Sequence, residues 1–269
     1  MRVRTWVSAS VAILLIASVM YGQFRGRRFP RGDDDDAPIP ADANEKTEFV
    51  FGRLQYPSYR GGAGYWGVRG SWTTDYPKAE RHFVQGVRRL TRIHTRSMEQ
   101  VVNLDADNDE IFNYPWIYGV EVGHWDLTDE QCKKLREYLL RGGFLMVDDF
   151  HGSIEWEIFM ASLSRVFPDR PVIDIPPNDH IMRILYELDE KVQVPGIVMF
   201  YSGQTYEQDG VEPKWRAILD DKNRIMVAIC HNMDLGDSWE HADMPEYPEK
   251  YTSLGYRIGI NYIIYSMTH

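Results

Sequence analysis

The sequence predicts an α/β domain, built as a doubly wound, mostly parallel sheet that closes with a C-terminal β-hairpin and helix. Three observations carry that expectation. Apolar segments of strand length alternate with segments of helical periodicity through the first half of the domain. Phe144–Val147 is an apolar run without polar alternation, as in a strand covered on both faces. Thr128-x-x-Gln131, a helical pattern and then Gly142-Gly143 mark one helix from its cap to its stop.

Taken in order, Glu48–Tyr56 alternates and is rich in aromatics, which predicts a first strand. A glycine- and aromatic-rich loop follows, 57–72, and carries Trp66 and Trp72. Thr74-Asp75-Tyr76-Pro77 reads as a helix start, with a capping side chain and a proline in the first turn. That helix runs to about Ile93 and buries Phe83, Val87 and Leu90. Val101–Leu104 and Trp116–Val122 are the expected second and third strands. In the capping-box helix Cys132, Leu135 and Leu139 share a face, and Glu130/Lys134 and Glu137/Arg141 are spaced for surface ion pairs. Phe144–Val147 is the next strand, and Ser153–Phe167 a helix ended by Pro168. Gly196–Tyr201 reads as a strand, and Trp215–Leu219 with Ile225–Cys230 as a hairpin around 220–223. A last helix, Thr252–Met267, has Gly255 and Gly259 one turn apart, which permits close packing.

The domain organisation follows from charge and hydropathy. Residues 1–22 open with Arg2 and Arg4 and continue into the uncharged stretch Trp6–Gly22, the pattern of a signal peptide or N-terminal membrane anchor. Residues 23–46 hold four Arg, a run of Asp33–Asp36 and Pro38 and Pro40, which is the composition of a disordered linker. Residues 47–269 form the folded domain. The protein is therefore expected to be exported, periplasmic or extracytoplasmic, with N-terminal membrane contact where the leader stays uncleaved. From residue 45 onward 24 Lys and Arg stand against 35 Asp and Glu, and no basic stripe counters that charge, which argues against a nucleic-acid partner. Two cysteines, Cys132 and Cys230, are too few for a disulfide framework and read as small core residues.

Ligands of open α/β sheets bind outside the carboxyl ends of the strands. Three predicted strand ends carry histidine beside carboxylate: His124 with Asp126, Asp148-Asp149-Phe150-His151-Gly152, and His231-Asn232-Met233-Asp234-Leu235-Gly236-Asp237. Asp149, His151, His231 and Asp237 are the candidate catalytic groups, able to supply acid–base chemistry or ligands to a divalent metal. The bland alternatives are that Asp148 or Asp149 caps the next helix and that the second group is a turn built by Asx side chains. Trp66, Trp72, Asp148, Asp149, His151, Asn232 and Asp234 are the candidate ligand-binding residues. Aromatic faces near carboxylates suit sugars, although Trp66 and Trp72 could equally fold back over the core. No phosphate-cradling glycine loop and no nucleophile elbow is present, so no cofactor and no dedicated metal set is assigned.

Phe49–Tyr56, Trp72-x-x-Asp75-Tyr76-Pro77, Tyr114-Pro115, Gly142-Gly143-Phe144-Leu145 with Asp148-Asp149, Asn232-x-Asp234-Leu235-Gly236 and Asn261-Tyr262 together resemble the DUF4159 family across residues 47–269. The resemblance implies a class I glutamine amidotransferase-like fold. The turn where those enzymes place their cysteine reads Asp149-Phe150-His151-Gly152 here, so amidotransferase activity is not expected. The leading expectation is a ligand-binding or assembly module of the cell envelope, with envelope glycans or other membrane-anchored envelope proteins as partners. The alternatives are a hydrolase, metal-assisted and acting on envelope glycans, and a structural protein-interaction domain.

Overall fold

A computed structural model of the chain describes residues 39–58, 71–189 and 191–269. The expected leader, most of the expected linker and Trp66 with its loop lie outside the described residues. Residues 39–46 are described. They make a turn in which Asp42 accepts hydrogen bonds from the Ser97 amide and hydroxyl at 3.0 and 2.9 Å and pairs with Arg88.

Seven strands form one sheet: β1 (Gly52–Gln55), β2 (Gln100–Asn103), β3 (Trp116–Val120), β4 (Phe144–Asp148), β5 (Ile173–Asp174), β6 (Lys214–Leu219) and β7 (Ile225–His231). Their order is β2-β1-β3-β4-β7-β6-β5. The first five in that order are parallel, with Ile117 beside Leu145 and Met146 beside Ala228, and β6 and β5 complete the sheet antiparallel. The chain leaves β1 toward β2 on one side and returns to β3 on the other. That reversal opens a crevice at the carboxyl ends of β1 and β3.

The helices are α1 (Lys78–Leu90), α2 (Asp129–Leu140), α3 (Gly152–Val166), α4 (Ile197–Ser202), α5 (Leu235–Glu240) and α6 (Glu249–Thr268). Because successive strand residues point to opposite faces, β3 and β4 feed two cores. Tyr118 and Met146 join Phe83 and Val87 of α1, Trp239 of α5 and Ile258 and Tyr262 of α6. Ile117, Leu145 and Val147 join Leu135 and Leu139 of α2 and Phe159 and Leu163 of α3. This is the doubly wound arrangement that the alternation of elements predicts. Among the described residues no helix is long and apolar enough to cross a membrane.

The local signals that worked are those with their own chemistry. Thr128 accepts from the Gln131 amide while the Gln131 side chain accepts from the Thr128 amide, closing the capping box. Gly142 ends α2 at φ 112°, and a Cβ on Gly143 would run into the Tyr138 ring. Gly255 packs on Ser238 and Trp239, and Gly259 on Phe83, so α6 approaches α5 and α1 as closely as its glycine spacing allows. Both cysteines are buried and free.

Four expectations are corrected. Gly196–Tyr201 is the helix α4 with its N-cap, because Ile197 N–H donates to Asp237 Oδ2 at 2.6 Å and the segment has no strand to pair with. Helix α1 begins after Pro77, and neither Thr74 nor Asp75 caps it. Leu90 is 51% exposed, on the outer side of the last turn of α1. Glu137 pairs with Arg141 as expected, but Lys134 turns to the carbonyls of Asp105, Ala106 and Asn108 and to Asp109, where three oxygens outweigh one surface carboxylate.

Candidate functional site

β4 ends in two aspartates whose side chains diverge. Asp148 is fully buried, and its Oδ2 accepts the Leu235 and Gly236 amides at 2.6 and 3.3 Å, which ties the strand to the first turn of α5. Burial pushes its carboxyl up to about 7. Asp149 adopts a left-handed backbone at φ 53°, its amide donating to Met233 O at 2.8 Å, and this turns its carboxylate over the strand ends. There Oδ1 lies 3.2 Å from His151 Nε2.

After β7 the chain repeats the device. Asn232 sits at φ 65°, with Oδ1 accepting the Gly152 amide at 2.9 Å and Nδ2 donating to Glu212 O at 2.7 Å. Asp234 then caps α5, its Oδ1 accepting the Asp237 amide at 2.8 Å. A third aspartate comes from the loop after β1. Asp75 also holds a left-handed backbone, at φ 61°, and Arg53 fixes its loop. The buried guanidinium donates to Trp72 O at 2.8 Å and to Thr74 O, and pairs with Glu80 at 2.6 Å.

Asp75, Asp149 and Asp234 each offer a carboxylate oxygen, and these oxygens lie within 4.8 Å of one another. All three carboxyls are pushed well above the usual range, first by burial and then by each other and by Asp237, Glu121 and Asp148. Arg53 opposes the effect at Asp75 but is already committed to Glu80. Glu207 faces the same region and is pushed up to about 7 by burial and by Glu155, Asp237 and Glu121.

A second group, Asp237, Glu240 and His241, also brings ligand-type atoms within 4.8 Å. It is balanced internally. His241 Nε2 lies 3.2 Å from Asp237 and 3.3 Å from Glu240. Burial pulls this imidazole down, yet the two carboxylates outweigh that and hold it above its usual pKa.

Of the residues nominated from sequence, Asp149, His151, Asp234 and Asp237 meet at this face. His231 is buried beside them, Nε2 3.0 Å from Gly152 O, its ring between Phe150 and Trp156 at 4.8 and 4.9 Å. Burial lowers His151 to about 3 and His231 to about 4, so both are neutral imidazoles at physiological pH. Asp148 and Asn232 work as ties between segments. Trp72 is half-buried, 6.0 Å from Tyr76, and packs on the core beneath α2 and α3, as its bland alternative expects. His124 stands apart between Glu121 and Glu155, each 3.9 Å away. Sequence reasoning missed Asp75, read as a helix cap, and Glu207. The φ-positive tolerance of Asp before a proline-started helix was the one available signal for the former.

Among curated proteins, none matches the chain. The family model described as a domain of unknown function, DUF4159, matches residues 50–267, from the start of the sheet to the last turn of α6. The chain, with its three converging aspartates, belongs to the DUF4159 family.

Proposed function

We propose that this domain is a ligand-binding module of the cell envelope that seats its ligand on the carboxylates at the ends of β4 and β7. One observation supports the reading above the others. Three aspartates from three distant segments are brought within 4.8 Å although each makes ionising the others more costly. Stability alone does not reward such a gathering, and local conflicts of this kind mark functional sites. Carboxylates at a strand-end crevice suit a hydroxylated ligand such as a glycan, whose O–H groups donate to them. The envelope part of the proposal rests on the leader-like residues 1–22.

A second reading, glycan hydrolysis, is favoured by one further observation. Glu207 is pushed up to about 7, which suits a general acid near neutral pH, and His151 touches Asp149.

Calorimetric titration of the full chain with N-acetylglucosamine oligomers and peptidoglycan fragments tests both. Binding lost in Asp234→Asn and kept in the exposed control Asp189→Asn supports the seat. Binding that survives Asp234→Asn refutes it, and no response to any of these probes refutes a glycan ligand. Release of new reducing ends, abolished in His151→Ala, would select the hydrolase.

A further inference from the structure

We infer that the carboxy-terminal end of α1, with Arg89, Leu90 and Arg92 at its centre, docks on an anionic phospholipid surface and turns the carboxylate face away from it. This docking deepens the proposed function and rests on its envelope reading, through the leader-like residues 1–22. The chain carries a net charge of −10, yet residues 81–98 hold five arginines and no Asp or Glu. Asp42 and the Thr95 carbonyl take up Arg88, and His94 lies 3.3 Å from Glu45. Arg89 and Arg92 are exposed and pair with no carboxylate among the described residues.

The helix end accounts for only part of this. The α1 dipole rewards Arg88 and Arg89 in the last turn. It does little for Arg92, which lies beyond the helix, and nothing for Leu90, which stands 51% exposed among the arginines. Ile39, 75% exposed, comes three residues before Asp42 and adds a second apolar side chain at this edge. Apolar tips set among unpaired arginines suit a lipid interface, where charges meet headgroups and the tips meet the acyl boundary.

The position of the patch in the fold points the same way. Phe49 N–H donates to His94 O at 3.1 Å and Phe49 bridges Thr95 just before β1, so this end of α1 lies at the amino ends of the strands. The aspartates Asp75, Asp149 and Asp234 lie at the carboxyl ends. An anionic surface attracts the basic pole and repels the acidic one, which sets a single orientation. The described chain also starts at the basic pole, where Asp42 is held by Arg88 and Ser97. Residues 23–38 separate it from the leader-like stretch, a span of at most about 55 Å at full extension. A leader in the bilayer keeps the patch at high local concentration near lipid, so a modest affinity suffices. A nucleic acid would have to approach without that tether and against the net charge of the chain.

The test is binding of the full chain to vesicles of phosphatidylglycerol and phosphatidylcholine, compared with phosphatidylcholine alone. Cys132 and Cys230 are buried, so an environment-sensitive fluorophore can be placed selectively on Leu90→Cys. Val211→Cys, 60% exposed and next to the Asn232 side of the site, is the control. A blue shift is expected at Leu90→Cys on the anionic vesicles alone, and at Val211→Cys on neither. Adding Arg89→Gln and Arg92→Gln should cut the docked-to-undocked ratio read by the Leu90→Cys label about twenty- to thirty-fold, at about fivefold per arginine. Salt at about 0.5 M should act in the same direction. Both arginines are exposed and unpaired, so the fold is kept, which circular dichroism verifies. Vesicle binding with a silent Leu90→Cys label, or docking indifferent to the double arginine variant, overturns the inference and leaves the leader reading standing. No binding to either vesicle overturns both. A Leu90→Cys shift on duplex DNA and not on lipid overturns it in favour of nucleic acid. Lipid docking without any glycan response leaves the inference standing and sinks the ligand reading alone.

Discussion

Replacing Arg53 with methionine should destabilise the domain severely, and the structure says by how much. The guanidinium is fully buried and satisfies three separate acceptors: Glu80 Oε1, Trp72 O and Thr74 O. It also lies 5.2 Å from the centre of the Tyr118 ring. Breaking a buried ion pair by removing one partner costs about 3–5 kcal/mol, because the other charge stays behind. Two stranded carbonyls add about 1 kcal/mol each where water does not reach them. Glu80 softens the loss. Burial already pushes its carboxyl up to about 7, and without Arg53 it takes a proton more readily. A net loss of about 5 kcal/mol follows, or a fall in Tm of roughly 10–20 °C for a domain of this length. Equilibrium urea unfolding at pH 7 measures it, with the m value checked for constancy. The double variant Arg53→Met/Glu80→Leu should recover more than half of the loss. A single-variant loss below about 1 kcal/mol, or a double variant that is merely additive, would refute the reasoning.

Three further outcomes follow from the same structure. The protein should lose stability as pH rises from about 5 to 7. In that window the native state still holds protons on Glu80, Asp148 and Glu207, which burial pushes up to about 7, whereas the unfolded carboxyls have lost theirs. Each such proton makes stability fall by about 1.4 kcal/mol per pH unit. His151 and His231 have the opposite sign, because burial depresses their folded pKa values, and their contribution is lost as pH drops below about 6.5. Three carboxyls against two imidazoles leave a net fall, and a urea midpoint that rises from about pH 5 to 7 would contradict the prediction. Gly236→Ala should displace the Asp75 carboxylate, since its Cβ would stand 2.2 Å from Oδ2, and so cost about 1–3 kcal/mol of stability, read by urea unfolding. Thr128→Ala removes one side of the capping box and should cost about 1 kcal/mol, with faster amide exchange confined to the first turn of α2.

The fold was legible where one segment carries its own instructions. The Thr128/Gln131 box, the Gly142-Gly143 stop and the unbroken apolar run of β4 each settle their element without help from elsewhere. Gly196–Tyr201 failed for the opposite reason. Its apolar residues fit a strand or a short helix equally, and the carboxylate of Asp237, forty residues away, decides between them. The two-residue β5 was too short to register. The site divides in the same way. Asp149, Asp234 and Asp237 were found because the strand-end rule converts sequence position into location. Asp75 lies twenty residues beyond its strand and was hidden behind a plausible helix cap. Its true position depends on the Arg53 fork, a long-range contact that no local pattern encodes. Lys134 was mispaired because a nest of carbonyls assembled by a distant loop competes with the neighbour one turn away.

Asp75, Glu121, Asp149 and Asn232, which border the site, all lie in the left-handed region of backbone space. That shared conformation governs how the site can be interrogated at all. Alanine at Asp75 or Asp149 would remove a carboxylate and simultaneously impose a backbone that a Cβ-bearing aliphatic residue resists, so a lost activity could not be assigned to either cause. Asparagine tolerates the same dihedrals and changes only the charge, while glycine relaxes the backbone and deletes the side chain. An asparagine–glycine pair at each position therefore separates chemistry from conformation, and a conventional alanine scan across this face would systematically overstate the importance of its functional groups.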